Sequence, residues 1–261
     1  MLSPPGALVR RHDPDRFLTA LFAPAERREA LFALYAFNHE LARAREVASE
    51  PGLVLIRLHW WREVVEGAPR RHEVAEPLAA ALASGALDRA DLLGLIDARE
   101  IEAEAAIPDL DAWRAYVLGT AGAIAAAAGR ALGAGERDRE MLRLLGGAYG
   151  AAGVLRSLGA VARQGRCLLP ETLLRDAGLS PEAAMANPVS PALRPVLETL
   201  TREGIAWLHA ARGFRPGRTL IAAALPAVLA RRDLRRGAGR VRPRGLADRL
   251  AVTIAGLAAR I

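Results

Sequence analysis

Along most of the chain, apolar residues recur with helical rather than alternating spacing. Helix-favouring Ala, Leu and Arg dominate, and no alternating run of β-branched residues is long enough to build a sheet. The pattern therefore predicts an all-α fold. A length of 261 residues is near the upper limit for one hydrophobic core, so we expect a single helical domain.

Prolines, glycines and N-capping residues divide this pattern into helices. The predicted helices cover residues 13–24, 25–49, 57–66, 73–84, 88–106, 113–130, 141–164, 194–213, 220–234 and 246–261. We predict an N-terminal extension over residues 1–12, the helical domain over 13–234, and a basic linker with a C-terminal amphipathic helix over 235–261.

The predicted helix over residues 141–164 is rich in glycine, namely at Gly146, Gly147, Gly150 and Gly153. Each glycine costs a helix about 1 kcal/mol relative to alanine. Such a run predicts that the backbone of this helix packs closely against a neighbouring helix or a ligand.

Composition and charge narrow the class of protein. With 52% hydrophobic and 25% charged residues, the chain is typical of folded globular proteins. The net charge of +7 and pI of about 10.9 suggest an anionic partner, such as acidic lipid, nucleic acid or a phosphorylated ligand. The single cysteine, Cys167, rules out an internal disulfide and fits a reducing compartment, so we expect a cytoplasmic location.

The densest block of positive charge lies at residues 231–244, next to the C-terminal amphipathic segment. Because no run of about 18 strongly apolar residues is present, we predict no transmembrane helix. The basic block is either a solvated linker or a surface that holds the protein peripherally on the inner face of a membrane, and we favour the membrane surface. Nucleic-acid binding is not expected, because stacking aromatics and a recognisable binding fold are absent from the sequence.

Three carboxylates, Asp97, Glu100 and Glu104, share one face of the predicted helix over residues 88–106. They form either an alternative metal site or an exposed face paired with arginines. We favour the exposed face, because arginines such as Arg99 lie nearby.

The helix predicted over residues 25–49 changes character along one face, from Leu31 and Tyr35 through Asn38 to Ala42 and Arg45. In a generic helix this change marks the point where the helix leaves the core for water. The alternative is that the polar end of this helix faces an internal cavity.

Three ordered motifs favour the cavity. They are F-A-L-Y-A-F at residues 32–37, R-L-x-W-W-R-E at 57–63, and L-R-x-x-G-x-x-x-R-x-G-R-x-x-L-P at 155–170. Together they resemble the squalene/phytoene synthase family. The resemblance implies the isoprenoid synthase fold, a helical bundle around a central cavity, and condensation of two prenyl diphosphates with Mg²⁺ held by Asp-rich motifs on facing helices.

The chain departs from that family at the metal ligands. Ala42 and Arg43 occupy the positions of the first Asp pair, and Ser157 and Val161 occupy those of the second motif. Of the five family carboxylates, only Glu46 has a counterpart, and one carboxylate cannot hold several Mg²⁺ ions on a diphosphate.

The resemblance therefore implies a degraded pocket without an assigned catalytic residue, metal ligand or cofactor. Its candidate substrate-binding residues are Tyr35, Asn38, Arg45, Glu46, Arg156, Ser157 and Arg166.

A longer phrase, A-F-N-x-E-L-A-x-x-x-(D/E)-x-x-S-E at residues 36–50, is similar to a divergent branch of the family. The best-known member of that branch is a mitochondrial assembly factor of respiratory complex I. The resemblance implies a non-catalytic assembly or scaffolding role, with a respiratory-complex subunit as partner and a prenyl or lipid diphosphate as ligand.

Two alternatives stay open at this point. One is an active prenyltransferase in which Arg45, Arg156 and Arg166 hold the diphosphate and Glu46 is the sole Mg²⁺ ligand, since arginine can clamp phosphate in a bidentate manner. The other is a simple binding module for a membrane surface or nucleic acid, which predicts steeply salt-dependent binding.

Overall fold

The structure, a computed structural model, describes residues 2–46, 50–104, 106–237 and 243–261, without the side chain of Glu46. The described residues form fifteen α-helices, and their only β-type pairing is one parallel bridge between Ile107 and Pro170. The helices are α1 Pro4–His12, α2 Pro14–Ala20, α3 Ala25–Glu46, α4 Pro51–Glu66, α5 Ala75–Ala83, α6 Arg89–Asp97, α7 Leu110–Val117, α8 Ala123–Ala131, α9 Glu136–Arg163, α10 Glu171–Asp176, α11 Pro181–Ala186, α12 Arg194–Ala210, α13 Gly217–Ala224, α14 Pro226–Arg236 and α15 Leu246–Ala258. The all-α prediction is confirmed.

The longest helix, α9, lies at the centre of the bundle and packs against α8, α12 and α14. A Cβ atom on Gly146 would lie 2.5 Å from the carbonyl oxygen of Ala121, and one on Gly150 would lie 2.6 Å from Ala121 Cβ. These glycines therefore allow the close backbone packing that the sequence predicted. Gly153 is different, because a Cβ there would have no neighbour within 4 Å.

Judged by length and composition alone, α9 could cross a membrane. It is the only helix of this kind in the part of the chain that the structure describes. The sequence prediction did not single it out, because Ala and Gly rather than large aliphatic residues make up much of it. Half of its most apolar stretch is buried against the other helices.

Several helix boundaries differ from the prediction. Residues 4–12, predicted as part of an extension, form α1, which packs on α3 and buries Val9. α4 begins at Pro51, before the predicted start at residue 57, because proline is a favourable first helical residue. The helix predicted over 88–106 is α6 followed by a 3-10 turn at Glu100–Ala103.

Other differences lie after residue 110. A π-helical turn, Leu118–Gly122, separates α7 from α8, and Pro226 separates α13 from α14. The short helices α10 and α11 lie in a segment for which no helix was predicted. Each of these elements is short, so periodicity over a long window does not detect it.

The apolar half of α3 belongs to the core. Leu31, Phe32, Leu34 and Phe37 are each at most 1% exposed. Because these side chains point in several directions around the helix, neighbouring helices must surround α3 here. The polar residues that follow Phe37 therefore enter the interior of the bundle before the helix reaches its end.

Candidate functional site

Glu102 lies at the centre of the polar interior. It is on the 3-10 turn after α6 and is only 6% exposed. Its Oε1 atom accepts hydrogen bonds from Tyr116 Oη and Arg99 Nη1, each at 2.7 Å, and its Oε2 atom accepts one from Arg166 Nη2 at 3.1 Å. Of these four residues, only Arg166 was predicted from the sequence to line the pocket.

Asn38 and Arg45 extend this arrangement from α3. Arg99 Nη2 donates to Asn38 Oδ1 at 3.1 Å, so Asn38, Arg99, Glu102, Tyr116 and Arg166 form one connected set, which we call the Glu102 network. Arg45 lines a cavity of about 20 Å³ together with Glu102 and Arg166. A cavity of this size has room for about one water molecule.

Burial makes the charges of the Glu102 network interdependent. The side chains of Glu102, Arg99 and Arg166 are 3%, 11% and 10% exposed. A buried carboxylate is costly unless it is paired and hydrogen-bonded, and two arginines and a tyrosine meet that requirement here. Burial, and then the negative charge of Glu102, raise the pKa of Tyr116 above its ordinary value, which keeps its hydroxyl protonated as a donor.

Arg156 pairs with a different carboxylate. Its Nη1 atom lies 3.2 Å from Asp233 Oδ2 on α14. Asp233 also accepts from Arg244 at 2.9 Å, and Arg244 bonds Asp15 at 2.8 Å. We call Asp15, Arg156, Asp233 and Arg244 the Asp233 network. Arg166 thus pairs with Glu102 and Arg156 with Asp233.

The remaining predicted residues have other surroundings. Tyr35 is 2% exposed, the Arg16 guanidinium lies 5.8 Å from its ring centroid, and burial raises the pKa of Tyr35 to about 12. The Ser157 hydroxyl donates to the Val154 carbonyl at 3.3 Å within α9. The side chain of Glu46 lies outside the described residues, so its role as a ligand stays a prediction.

The described residues at the family's metal positions do not fit Mg²⁺. Ala42 offers no donor, and Arg43 pairs with Glu40 at 3.1 Å. Ser157 and Val161 on α9 supply no carboxylate. In the described ranges, no group of three or more His, Cys, Asp or Glu side chains could hold a metal ion.

Asp97, Glu100 and Glu104, predicted to form an exposed face, are all exposed, but their predicted neighbour Arg99 pairs with Glu102 instead. Arg62 on α4 binds Asp97 at 2.6 Å and Glu100 at 2.9 Å. Both acidic side chains are more than half exposed. Solvent screens such pairs, so they contribute little to stability.

The C-terminal arginines are used differently from the prediction of a basic linker. Arg232 Nε and Arg236 Nη2 bind Asp248 Oδ1 on α15, at 2.7 and 3.0 Å. Arg244 belongs to the Asp233 network. Arg240 and Arg242 lie outside the described residues. Three arginines of the block therefore hold α14, α15 and α2 together.

Comparisons with known proteins agree with this fold. Residues 9–249 match the model of the squalene/phytoene synthase family. Human NADH dehydrogenase (ubiquinone) complex I, assembly factor 6, is 36% identical over 97 residues, which are 36% of this chain and 29% of that protein. The mouse protein of that name is 27% identical over 228 residues, or 85% of this chain and 68% of that protein.

Solved structures show the same isoprenoid synthase bundle. Squalene synthase HpnC from Alicyclobacillus acidocaldarius superposes with a TM-score of 0.73 at 17% identity, covering 88% of this chain and 90% of that one. A dehydrosqualene synthase in complex with ligand superposes with a TM-score of 0.79 at 13% identity, covering 97% and 94%. Because the family model spans nearly the whole sequence, the chain belongs to the squalene/phytoene synthase family.

Proposed function

We propose that this protein is a non-catalytic assembly or scaffolding factor that acts in the assembly of respiratory complex I. The observation that carries the proposal is the internal neutralisation of Arg166 and Arg156 by Glu102 and Asp233. These arginines match the basic positions that flank the family's second Asp-rich motif. In this chain their charges already have partners.

Electrostatics supports the absence of turnover. A diphosphate that took the place of Glu102 beside Arg166 would also separate this carboxylate from Arg99 and Tyr116. Separating a buried carboxylate from its partners costs about 3–5 kcal/mol. Without several Mg²⁺ ions to neutralise it, a diphosphate does not recover that cost.

Space supports the same conclusion. The cavity beside Arg45, Glu102 and Arg166 is about 20 Å³, whereas small-molecule sites are typically about 300–1,000 Å³. A prenyl diphosphate would therefore require the helices around this network to separate. The complex I part of the proposal rests on the curated relatives, of which the human protein is matched over 29% of its length.

An assay of pyrophosphate release tests the catalytic part. Purified protein is mixed with farnesyl or geranylgeranyl diphosphate and Mg²⁺, with an active dehydrosqualene synthase as the positive control. We expect no release above the protein-free blank. Release at an enzyme-like rate that is lost in Arg166→Ala would contradict the proposal and establish the Arg-based prenyltransferase instead.

A deletion in the organism that encodes the chain tests the assembly part. We expect less assembled complex I on native gels and less rotenone-sensitive NADH oxidation, both restored by the wild-type gene. Glu100→Ala, on the exposed face, is the matched control and should restore both as well. An unchanged amount and activity of complex I in the deletion strain would contradict this part of the proposal.

A second candidate activity is binding of a prenyl or lipid diphosphate without turnover. The observation that favours it is a groove of about 450 Å³ between α3 and α4, lined by Trp60, Trp61 and Arg57 and by the paired Glu40 and Arg43. The tryptophans suit an apolar tail, and Arg57 suits an anionic head. Tryptophan fluorescence titrated with farnesyl diphosphate checks it, and a signal unchanged by Trp60→Ala would argue against this groove.

A further inference from the structure

The C-terminal helix α15 exposes a continuous apolar stripe. Leu246, Leu250, Ile254 and Leu257 are 74%, 50%, 65% and 71% exposed. Their spacing of four, four and three residues places them on one face of the helix. Single exposed leucines are common, but a stripe of four along one helix indicates a surface that binds something.

The opposite face of α15 is held in place. Val252 is fully buried, and a Cβ atom on Gly256 would lie 2.5 Å from the ring of Phe22. Asp248 is 4% exposed and binds both Arg232 and Arg236. Turning the stripe inward would expose Val252 and break these ion pairs, so the orientation of α15 on the bundle is fixed.

Charge indicates what the stripe meets. The only acidic residue of α15 is Asp248, which is buried and paired. The exposed charged side chains on and beside the helix are positive, namely Arg249 and Arg260, and Arg235 is exposed on the adjoining α14. A leucine face with arginines at its edges is the arrangement of helices that lie in the interface of anionic membranes.

We propose that α15 docks the protein on an anionic lipid surface, with Leu246, Leu250, Ile254 and Leu257 entering the interface and Arg249 and Arg260 contacting lipid phosphates. This assignment differs from the expectation that the arginine-rich block itself is the docking element. Arg232, Arg236 and Arg244 instead fix the helix that docks. The inference does not depend on the proposed role in complex I assembly.

Vesicle flotation tests this inference on the full-length protein. We expect the wild type to float with vesicles of phosphatidylcholine and phosphatidylglycerol at 1:1. The double variant Leu250→Ser/Ile254→Ser should bind at least tenfold more weakly. The matched control is Leu53→Ser/Leu55→Ser on α4, whose side chains are 47% and 44% exposed and lie outside the groove of Trp60 and Trp61, and which should bind as the wild type does.

A second variant tests how much the arginines beside the stripe contribute to vesicle binding. Arg249→Glu/Arg260→Glu should weaken binding to the anionic vesicles several-fold and should leave the weak binding to pure phosphatidylcholine vesicles unchanged. Circular dichroism and thermal melts establish that each variant is folded, which we expect because all the altered side chains are exposed.

Three results would overturn the inference. One is equal flotation of the wild type and the Leu250→Ser/Ile254→Ser variant. Another is equal binding to anionic and pure phosphatidylcholine vesicles. The third is a wild-type dimer in light scattering that Leu250→Ser/Ile254→Ser converts to a monomer without changing flotation, which would assign the stripe to a second copy of the chain.

Discussion

The Glu102 network and the pairs around Asp248 both place two arginines on one carboxylate, but in different surroundings. Around Glu102 the arginine side chains are 10–11% exposed. Around Asp248 they are 34% and 37% exposed, although the carboxylate itself is only 6% exposed. Water and salt can therefore reach the two arginines around Asp248, whereas around Glu102 both the arginines and the carboxylate are shielded from solvent.

This difference separates two uses of the same ion pair. In the Glu102 network no partner can leave without exposing a buried charge, so the arrangement resists an incoming anion. Around Asp248 the arginines keep contact with solvent, and the pairs orient a surface helix. We therefore expect changes in the first region to affect the stability of the whole bundle and those in the second to affect the position of α15.

The largest effect is expected from Glu102→Ala. It leaves Arg99 and Arg166 buried without their carboxylate, which should lower the free energy of unfolding by about 3–5 kcal/mol. Urea denaturation measures this loss. Glu100→Ala removes an exposed partner of Arg62 and should cost less than about 1 kcal/mol. Equal effects of the two substitutions would show that the burial of Glu102 is unimportant.

A smaller loss is expected from Tyr116→Phe, which removes only the hydroxyl that donates to Glu102 at 2.7 Å. A hydrogen bond to a charged group contributes about 1.5–3 kcal/mol. Urea denaturation should show a loss in this range with an unchanged m-value. A loss as large as that of Glu102→Ala would assign the stability of the network to the tyrosine rather than to the arginines.

Asp248→Asn should have a smaller effect still, with a defined pH dependence. Burial raises the pKa of Asp248, but hydrogen bonds from Arg232 and Arg236 outweigh it and lower the pKa to about 2. The unfolded chain, with an ordinary pKa of about 3.9, binds the proton more tightly, so this contribution is present above pH 4 and is lost as the pH falls towards 2.

Thermal melts between pH 5 and pH 2 check this expectation. The wild type should lose more stability over this interval than Asp248→Asn, while near pH 7 the variant should be less stable by about 1.5 kcal/mol, the lower end for a charged hydrogen bond. Parallel melting curves across the whole interval would contradict the assignment of Asp248 as the titrating group.

The smallest effect is expected from salt. Raising NaCl from 0.1 to 1 M shortens the Debye length from about 10 to about 3 Å, which screens the partly exposed pairs more than the buried ones. The stability difference between wild type and Asp248→Asn should therefore shrink with salt, and that between wild type and Glu102→Ala should stay nearly constant. Hydrogen exchange in α15 provides a local measurement of the same change.

Several local features could be predicted from the sequence. The glycine run in α9 predicted close packing, because a residue that weakens a helix needs a compensating contact. The apolar stretch before Asn38 predicted a buried helix, and α3 is buried there. The arginines near Asp97, Glu100 and Glu104 predicted an exposed face, and all three residues are exposed, although Arg62 rather than Arg99 pairs with the first two.

Glu102 could not be identified in that way. The sequence predicted a continuous helix over residues 88–106, but the chain changes to a 3-10 turn at Glu100, which redirects Glu102 into the interior. Arg166, which binds Glu102, lies 64 residues from it in the sequence. Asn38, which binds Arg99, lies 61 residues from that arginine. No local pattern encodes pairings over such separations. The carboxylate partners of Arg156 and Arg166, Asp233 and Glu102, are likewise distant in sequence and were not predicted.

The sequence by itself determined the all-α class and the family, because helical periodicity and ordered motifs are local properties of the chain. Tertiary structure alone decided which arginines are neutralised and which helix face stays exposed. Those outcomes depend on burial, and burial is set by the packing of helices that are distant in sequence. The same arginine-rich composition thus yields a closed, buried Glu102 network and an α15 held with its leucine stripe towards solvent.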